Sequence, residues 1–316
     1  MSLLKIYTDE IAARKHLESL NWPDGPICPH CGTVNEATKL KGKSTRPGVY
    51  KCRPCQKPFS VTVGTVFERS KIKLNTWVHA VDIYTASKKG FSAHQLHRTL
   101  GVTYKTAWFM AHRIREAMSE QKGPTNPMGG EGKIVEADET YYGQKADKPK
   151  MRTDGTPFLK GGHGANKISI VALVERGGNV RSFHVDRADA RTIGEILFTN
   201  VKRESVLHTD ESKLYPRHGV DFAGHYTVNH SSKEYVRGIV HTNTIEGFFS
   251  IFKRGMKGVY QHCGEQHLHR YLSEFDFRYN TRVAVGFNDT MRAEQALKGI
   301  VGKRLMYRRP DNAKVS

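Results

Sequence analysis

"GKIVEADETYYGQ", Gly132 to Gln144, decides the fold of this chain. It reads as a β-strand. Side chains alternate along a strand, so Ile134, Glu136 and Asp138 share one face, and Val135, Ala137 and Glu139 the other. So many acids in one strand is unusual, because each costs free energy on burial unless a cation meets it. Taken singly, each acid reads as a surface charge. The elements downstream decide whether the acids act together.

"KISIVALVERGGNVRSFHVDRADA", from Lys167, gives two strands around a Gly177–Gly178 turn. A helix is expected from about Ala190 to Val201. "SVLHTDES" then reads as a strand ending at Asp210. Next comes "HTNTIEGFFSIFKRG", His241 to Gly255, an amphipathic helix with Glu246 among Ile245, Phe248, Phe249, Ile251 and Phe252. Strand with Asp, hairpin, helix, strand ending in Asp, later helix with Glu: this is the layout of a ribonuclease-H-like α/β fold. Its mixed sheet sets the first strand beside the fourth, and the later helix packs across them. Asp138, Asp210 and Glu246 then converge.

Such a cluster repels itself unless metal ions bind, and hard oxygen ligands suit Mg²⁺, or Mn²⁺ in its place. Two ions about 4 Å apart activate a water or a 3′-hydroxyl and stabilise the leaving oxygen of a phosphodiester. His208 and Thr209 precede Asp210, and His241 and Asn243 precede Glu246, as candidate supporting donors or phosphate contacts. Lys253 lies seven residues beyond Glu246. That spacing keeps it on the same helix face, about 10 Å along the axis. It is either a solvated lysine or a contact to a phosphate further along bound DNA. Arg254 is its neighbour. The phenylalanines of this helix read as core packing.

Upstream, "CPHC" (Cys28, Cys31) and "CRPC" (Cys52, Cys55) are separated by 20 residues. The pattern is that of a zinc ribbon, in which two knuckles present four thiolates to one ion. A closed tetrahedral site implies a structural zinc, and so short a module needs the metal to fold. The alternative is four free thiols or a redox pair. His30, inside the first knuckle, reads as a bystander. Residues 8 to 20 read as a helix with Thr8 as N-cap, and "VYKCRPCQKPFSVTVGTVF" as short strands.

From Asn75 to Met118 the pattern is helical. Within it, Ser92 and Thr103 are N-caps of two helices joined at Gly101. Leu96, Leu100, Ala107, Met110, Ala111 and Ile114 face inward. Tyr104, Lys105, Trp108, His112 and Arg115 face outward on the second helix, as a helix-turn-helix needs for a major groove. A plain helical hairpin is the alternative. Net charge favours DNA: 50 Lys and Arg stand against 31 acids, a formal +19, and nucleic acid is the usual partner of such an excess.

The expected organisation is residues 1–70 for the N-terminal helix and zinc ribbon and 71–120 for the helix-turn-helix. After these come a linker at 121–131, a catalytic domain at 132–297 and a mobile basic tail at 298–316. Gly143 to Lys167 carries six Lys or Arg against two Asp and reads as a DNA-contacting loop or a plain linker. No run of about 18 apolar residues occurs and the first residues lack a signal-peptide pattern, so no membrane association and a cytoplasmic, nucleoid-associated location are expected.

The stretches "WPDGPICPHCG", "YKCRPCQKPFSVTVGTVF", "VEADETYYGQK", "LHTDESKLY", "VHTNTIEGFFSIFKRG" and "HLHRYLSEFDFRYN" together resemble the DDE transposases of bacterial insertion sequences. The resemblance is to the group with an N-terminal zinc ribbon, related to the Merlin transposons, and covers nearly the whole chain. It implies an enzyme that binds terminal inverted repeats, cleaves DNA with Mg²⁺ and transfers 3′ ends to target DNA. Asp138 and Asp210 correspond to the two metal aspartates and Lys253 to the basic residue after the third ligand. Members of the group carry either Glu or Asn third. Both Glu246 and Asn243 are present here, and the charged Glu246 is the stronger ligand. Holding two DNA ends implies a homodimer or higher oligomer.

Overall fold

A computed structural model of the chain describes residues 3–120, 126–145, 151–153, 156 and 166–306. They form two compact units, residues 1–119 with 287–316 and residues 120–286.

The first unit opens with helices α1 (Leu3–Thr8) and α2 (Glu10–Asn21). Asp9, not Thr8, caps α2, its carboxylate accepting from Ile11 N at 2.8 Å. Thr8 ends α1 instead, its hydroxyl donating to Leu4 O. Three short antiparallel strands come next: β1 (Ala37–Lys39), β2 (Tyr50–Cys52) and β3 (Pro58–Phe59). Beyond Phe59 the expected strand character gives way to turns, interrupted by an isolated bridge between Thr65 and Val301. Helices α3 (Leu74–Ala86), α4 (Ala93–Leu100) and α5 (Tyr104–Met118) complete the N-terminal part. Ser92 and Thr103 cap α4 and α5 as expected, accepting from Gln95 N and Thr106 N. Between them Gly101 takes φ +65°, left-handed backbone that a residue without Cβ adopts at no steric cost.

The second unit is a mixed α/β layer structure. Its five strands are β4 (Ile134–Tyr142), β5 (Ile168–Glu175), β6 (Val180–Val185), β7 (Val206–Thr209) and β8 (Gly224–Thr227), in the order β6-β5-β4-β7-β8. Strands β4, β5 and β6 pair antiparallel; β4 with β7 and β7 with β8 pair parallel. The first strand thus lies beside the fourth. Helix α6 (Ala190–Asn200) makes the crossover, with the short α7 (Pro216–Gly219) before β8. A small ribbon, β9 (Val236–Arg237) with β10 (Val240–His241), leads into α8 (Asn243–Gly255), which is continued by a π-turn at Met256–Tyr260. Helix α9 (Leu268–Asn280) comes after it.

Two cores cover the sheet. Val135, Ala137, Val171 and Leu173 pack with Ile193 and Leu197 of α6 and with Tyr215. On the opposite face Ile170, Ala172 and Val174 pack against Ile245, Phe248, Phe249 and Phe252 of α8 and Phe275 of α9. The phenylalanines of α8 are therefore core, each contributing roughly 1.5–3 kcal/mol by burial. The polar residues of "HLHRYLSEFDFRYN" lock α9 to the edge strand β6. Asp276 accepts from Ser182 N and Oγ, and the Asn280 amide bonds Val180 N and O. That occupies backbone groups which an edge strand otherwise leaves open to another chain.

Three domain boundaries differ from expectation. Of the linker 121–131, residues 121–125 lie outside the described residues, whereas Met128 is buried in the second unit and bridges Val201. Helix α10 (Asp289–Lys298) packs on α3, α2 and α5, so it belongs to the first unit and not to a domain ending at 297. The tail from 298 is not a free arm over its described part, because Lys303 Nζ donates to Ala117 O and Arg113 Nε to Leu305 O. Residues 307–316 lie outside the described residues, as does most of Gly143 to Lys167, whose ends are joined by Lys145 N donating to Asn166 O.

Candidate active site and metal centre

Register brings the two aspartates level. Glu136 of β4 stands opposite His208 of β7, and two further residues along each parallel strand lie Asp138 and Asp210. Asp210 falls one residue past the end of β7, where its Oδ1 accepts from Ser212 N at 3.0 Å. Glu246 comes from the first turn of α8, on the exposed stripe that also carries Asn243, Lys253 and Arg254. Its Oε1 accepts from Thr242 Oγ1 at 2.9 Å and lies 3.3 Å from His230 Nε2.

Asp138 feels the charges of the other two carboxylates. Asp138 is pushed up from 3.8 to about 8, first by burial, then by the negative charges of Asp210 and Glu139, with Glu246 adding a smaller push. Asp210 is also raised, chiefly by burial. Desolvated like charges and hard oxygen donors are what a divalent cation relieves, so these residues suit Mg²⁺ or Mn²⁺. Among the described residues, however, the group of three or more ligands lying mutually within 4.8 Å is the cysteine cluster, not the acids.

The raised Asp138 has a consequence for stability. A carboxyl with a higher pKa folded than unfolded keeps its proton where the unfolded chain has lost it, so stability falls as pH rises from about 4 to about 8. Without Mg²⁺, Asp138→Asn is expected to raise the melting temperature of the second unit at pH 8 and far less at pH 5. The gain is on the order of 5 kcal/mol at most. Thermal unfolding across pH checks this; a pH-independent difference contradicts it.

Several residues near the acids were not singled out by the sequence. Glu136 is fully buried, and its carboxylate accepts from Arg176 Nε at 2.6 Å, Thr244 Oγ1 at 2.8 Å and Ile245 N at 3.0 Å. It caps α8 from a neighbouring strand. Arg176 also donates to Ile239 O and His241 O and meets His208 Nδ1 at 3.0 Å. His208 is therefore no phosphate contact: it is fully buried, and burial followed by the Arg176 charge lowers it to about 4. His241 contributes its backbone oxygen, while its Nδ1 lies 3.4 Å from Glu136. Thr209 Oγ1 pairs with His225 and Asp210 O. Glu139, on the opposite face of β4 from Asp138, accepts from Tyr215 OH at 2.6 Å and Ser212 Oγ at 3.2 Å. The only sequence sign of these roles was the excess of acids in β4. Nothing marked Arg176 or His230.

In the first unit the four thiols gather as the spacing predicts. Cys28 Sγ lies 3.6 Å from Cys55 Sγ, and Cys31 Sγ 3.6 Å from Cys52 Sγ. Zn–S bonds of about 2.3 Å at tetrahedral angles require edges of about 3.8 Å, so the geometry fits one zinc ion. Both knuckles end in left-handed backbone, at Gly32 (φ +77°) and Gln56 (φ +57°). His30 stays outside the cluster, 3.4 Å from Pro58 O.

On α5, Ala107, Met110, Ala111 and Ile114 are buried as expected. Tyr104 is 44% exposed and stacks on His94, Lys105 is exposed and Trp108 half-buried. The outward placement of His112 and Arg115 is corrected, because both are 2% exposed. Helix α5 packs on α3 and α10, residues 110–115 are all buried, and the Arg115 guanidinium lies over the Tyr84 ring of α3. A groove-facing surface on α5 is thus confined to its first turns.

Two family models match the chain: the ISXO2-like transposase domain over residues 129–280 and the transposase zinc-ribbon domain over residues 8–58. Over 288 residues the chain is 30% identical to an "uncharacterized protein in transposable element ISH50" of Halobacterium salinarum. That match covers 88% of this chain and 93% of that protein. No helix among the described residues is long and apolar enough to cross a membrane.

Proposed function

Because the chain belongs to the ISXO2-like transposases, we propose that it is an insertion-sequence DNA transposase of the DDE type, with a ribonuclease-H-like catalytic unit. It binds terminal inverted repeats, cleaves phosphodiester bonds and joins the 3′ ends to target DNA. The reading rests above all on the parallel register of β4 and β7, which sets Asp138 level with Asp210 beside the helix of Glu246. The sheet order β6-β5-β4-β7-β8 agrees with it.

In this reading Asp138, Asp210 and Glu246 hold two Mg²⁺ or Mn²⁺ ions. Bound there, the ions supply an activated water or 3′-hydroxyl and charge stabilisation at the leaving oxygen. The protein's own groups arrange the rest. Thr242 fixes the Glu246 carboxylate by a hydrogen bond, with His230 beside it. Lys253, two helical turns beyond Glu246 on α8, meets a phosphate further along the DNA, with Arg254 beside it. Tyr104, Lys105 and Trp108, on the exposed start of α5, contact the inverted repeat; Arg115 plays no part. A structural zinc holds the ribbon, and the transposase works as a homodimer or larger assembly on two DNA ends.

Glu246 is favoured over Asn243 as third ligand because its charge acts on Asp138. The test is cleavage and strand joining on DNA carrying the element's ends. Glu246→Gln is expected to lose joining and Asn243→Ala to keep most of it. Joining kept in the first and lost in the second reassigns the ligand to Asn243.

A further inference from the structure

Strand β4 carries three acids, and the two-metal reading uses one of them. We propose that the glutamates flanking Asp138 are positioning residues: Glu136 fixes the helix bearing Glu246, and Glu139 fixes the loop bearing Asp210. One strand then sets the place of all three carboxylates. The proposal rests on the two-metal reading of the site.

The partners make the case. Glu136 bonds Thr244 Oγ1 and Ile245 N, the two residues immediately before Glu246. Glu139 bonds Ser212 Oγ, two residues after Asp210, and Tyr215 OH, at the far end of the same loop. Neither glutamate is placed to hold an ion itself. Both oxygens of Glu136 already accept, one of them also from Arg176 Nε, and the side chain is fully buried. Glu139 points to the other face of β4 from Asp138, toward the fully buried Tyr215.

The physical need is plain. Like-charged carboxylates tend to drift apart, so a site that holds them ready must restrain the elements they stand on. Hydrogen bonds one or two residues from each ligand do this where rotation of the element matters most. Arg176 extends the restraint to the approach of the helix by donating to His241 O and Ile239 O.

The experiment measures Mn²⁺ binding to the zinc-loaded full-length protein by electron paramagnetic resonance, together with the Mn²⁺ dependence of strand joining. Glu136→Gln and Glu139→Gln are compared with Thr244→Val and Tyr215→Phe, which remove one donor each without changing charge and keep the test alive if a glutamine variant fails to fold. Weaker Mn²⁺ binding by about 10–100-fold is expected in the glutamine variants, and by less in the other two. The maximal joining rate should recover at high Mn²⁺. A site sensitive to Asp138→Ala but unchanged in all the variants that fold overturns the positioning role alone. Failure of Glu139→Gln to recover at any Mn²⁺ concentration makes Glu139 a ligand and also overturns it. Mn²⁺ binding indifferent to Asp138→Ala overturns the two-metal reading itself, and this proposal with it.

Discussion

Asp210→Ala is expected to abolish strand joining, by at least about 10³-fold, while the chain stays folded. A carboxylate that holds a metal at the reacting phosphate contributes several kcal/mol to the transition state, and each 1.36 kcal/mol is tenfold in rate. Folding has little stake in the residue. Asp210 lies beyond the end of β7, outside both cores, and its carboxylate accepts one turn hydrogen bond from Ser212 N. Its burial opposes its own ionisation, and its charge opposes that of Asp138. Alanine there should leave the melting temperature unchanged or slightly higher without Mg²⁺. The measurement is joining of end-bearing DNA in Mg²⁺, beside a circular dichroism melt. Undiminished joining would sink the mechanism; lost joining with a lost fold would demand a gentler substitution, Asp210→Asn.

Stripping zinc, or replacing Cys52 by serine, should unfold the ribbon and leave the second unit intact. The ribbon's core is four residues, Cys28, Tyr50, Cys52 and Phe59, flanked by Trp22, Ala37, Cys55 and Val63. Two of the four core residues are themselves ligands. Structural zinc in comparable modules contributes on the order of 10–16 kcal/mol, far more than so small a core. Trp22 packs edge-on against Tyr50 and Phe59, so its fluorescence reports the event. One zinc per chain is expected by elemental analysis, with proteolysis confined to about residues 22–60 after chelation. A ribbon that keeps its fold without zinc would contradict this.

Features written in local spacing were legible from the sequence. Two C-x-x-C knuckles announce a four-thiol site because each knuckle is a short local structure. Ser92, Gly101 and Thr103 mark helix ends because capping acts within three residues. The alternation in "GKIVEADETYYGQ" separates Asp138 from Glu139 because a strand's period is two. Even local signals misled where two competed: Thr8 and Asp9 both suit an N-cap, and a preceding helix claimed Thr8.

Sequence by itself therefore determined the four-thiol module and the order of elements in the second unit, and it nominated three acids for one site. Tertiary structure alone decided what surrounds them. Arg176 meets Glu136 from 40 positions away, and Tyr215 meets Glu139 from 76. Helix α10 returns to the first unit and packs on α5, and Arg115, which the helical period had placed outward, is buried with its guanidinium over Tyr84 of α3. The reason is physical. Period and capping are set by a residue's neighbours in the chain, whereas burial of a charge is settled by whichever distant element supplies its partner.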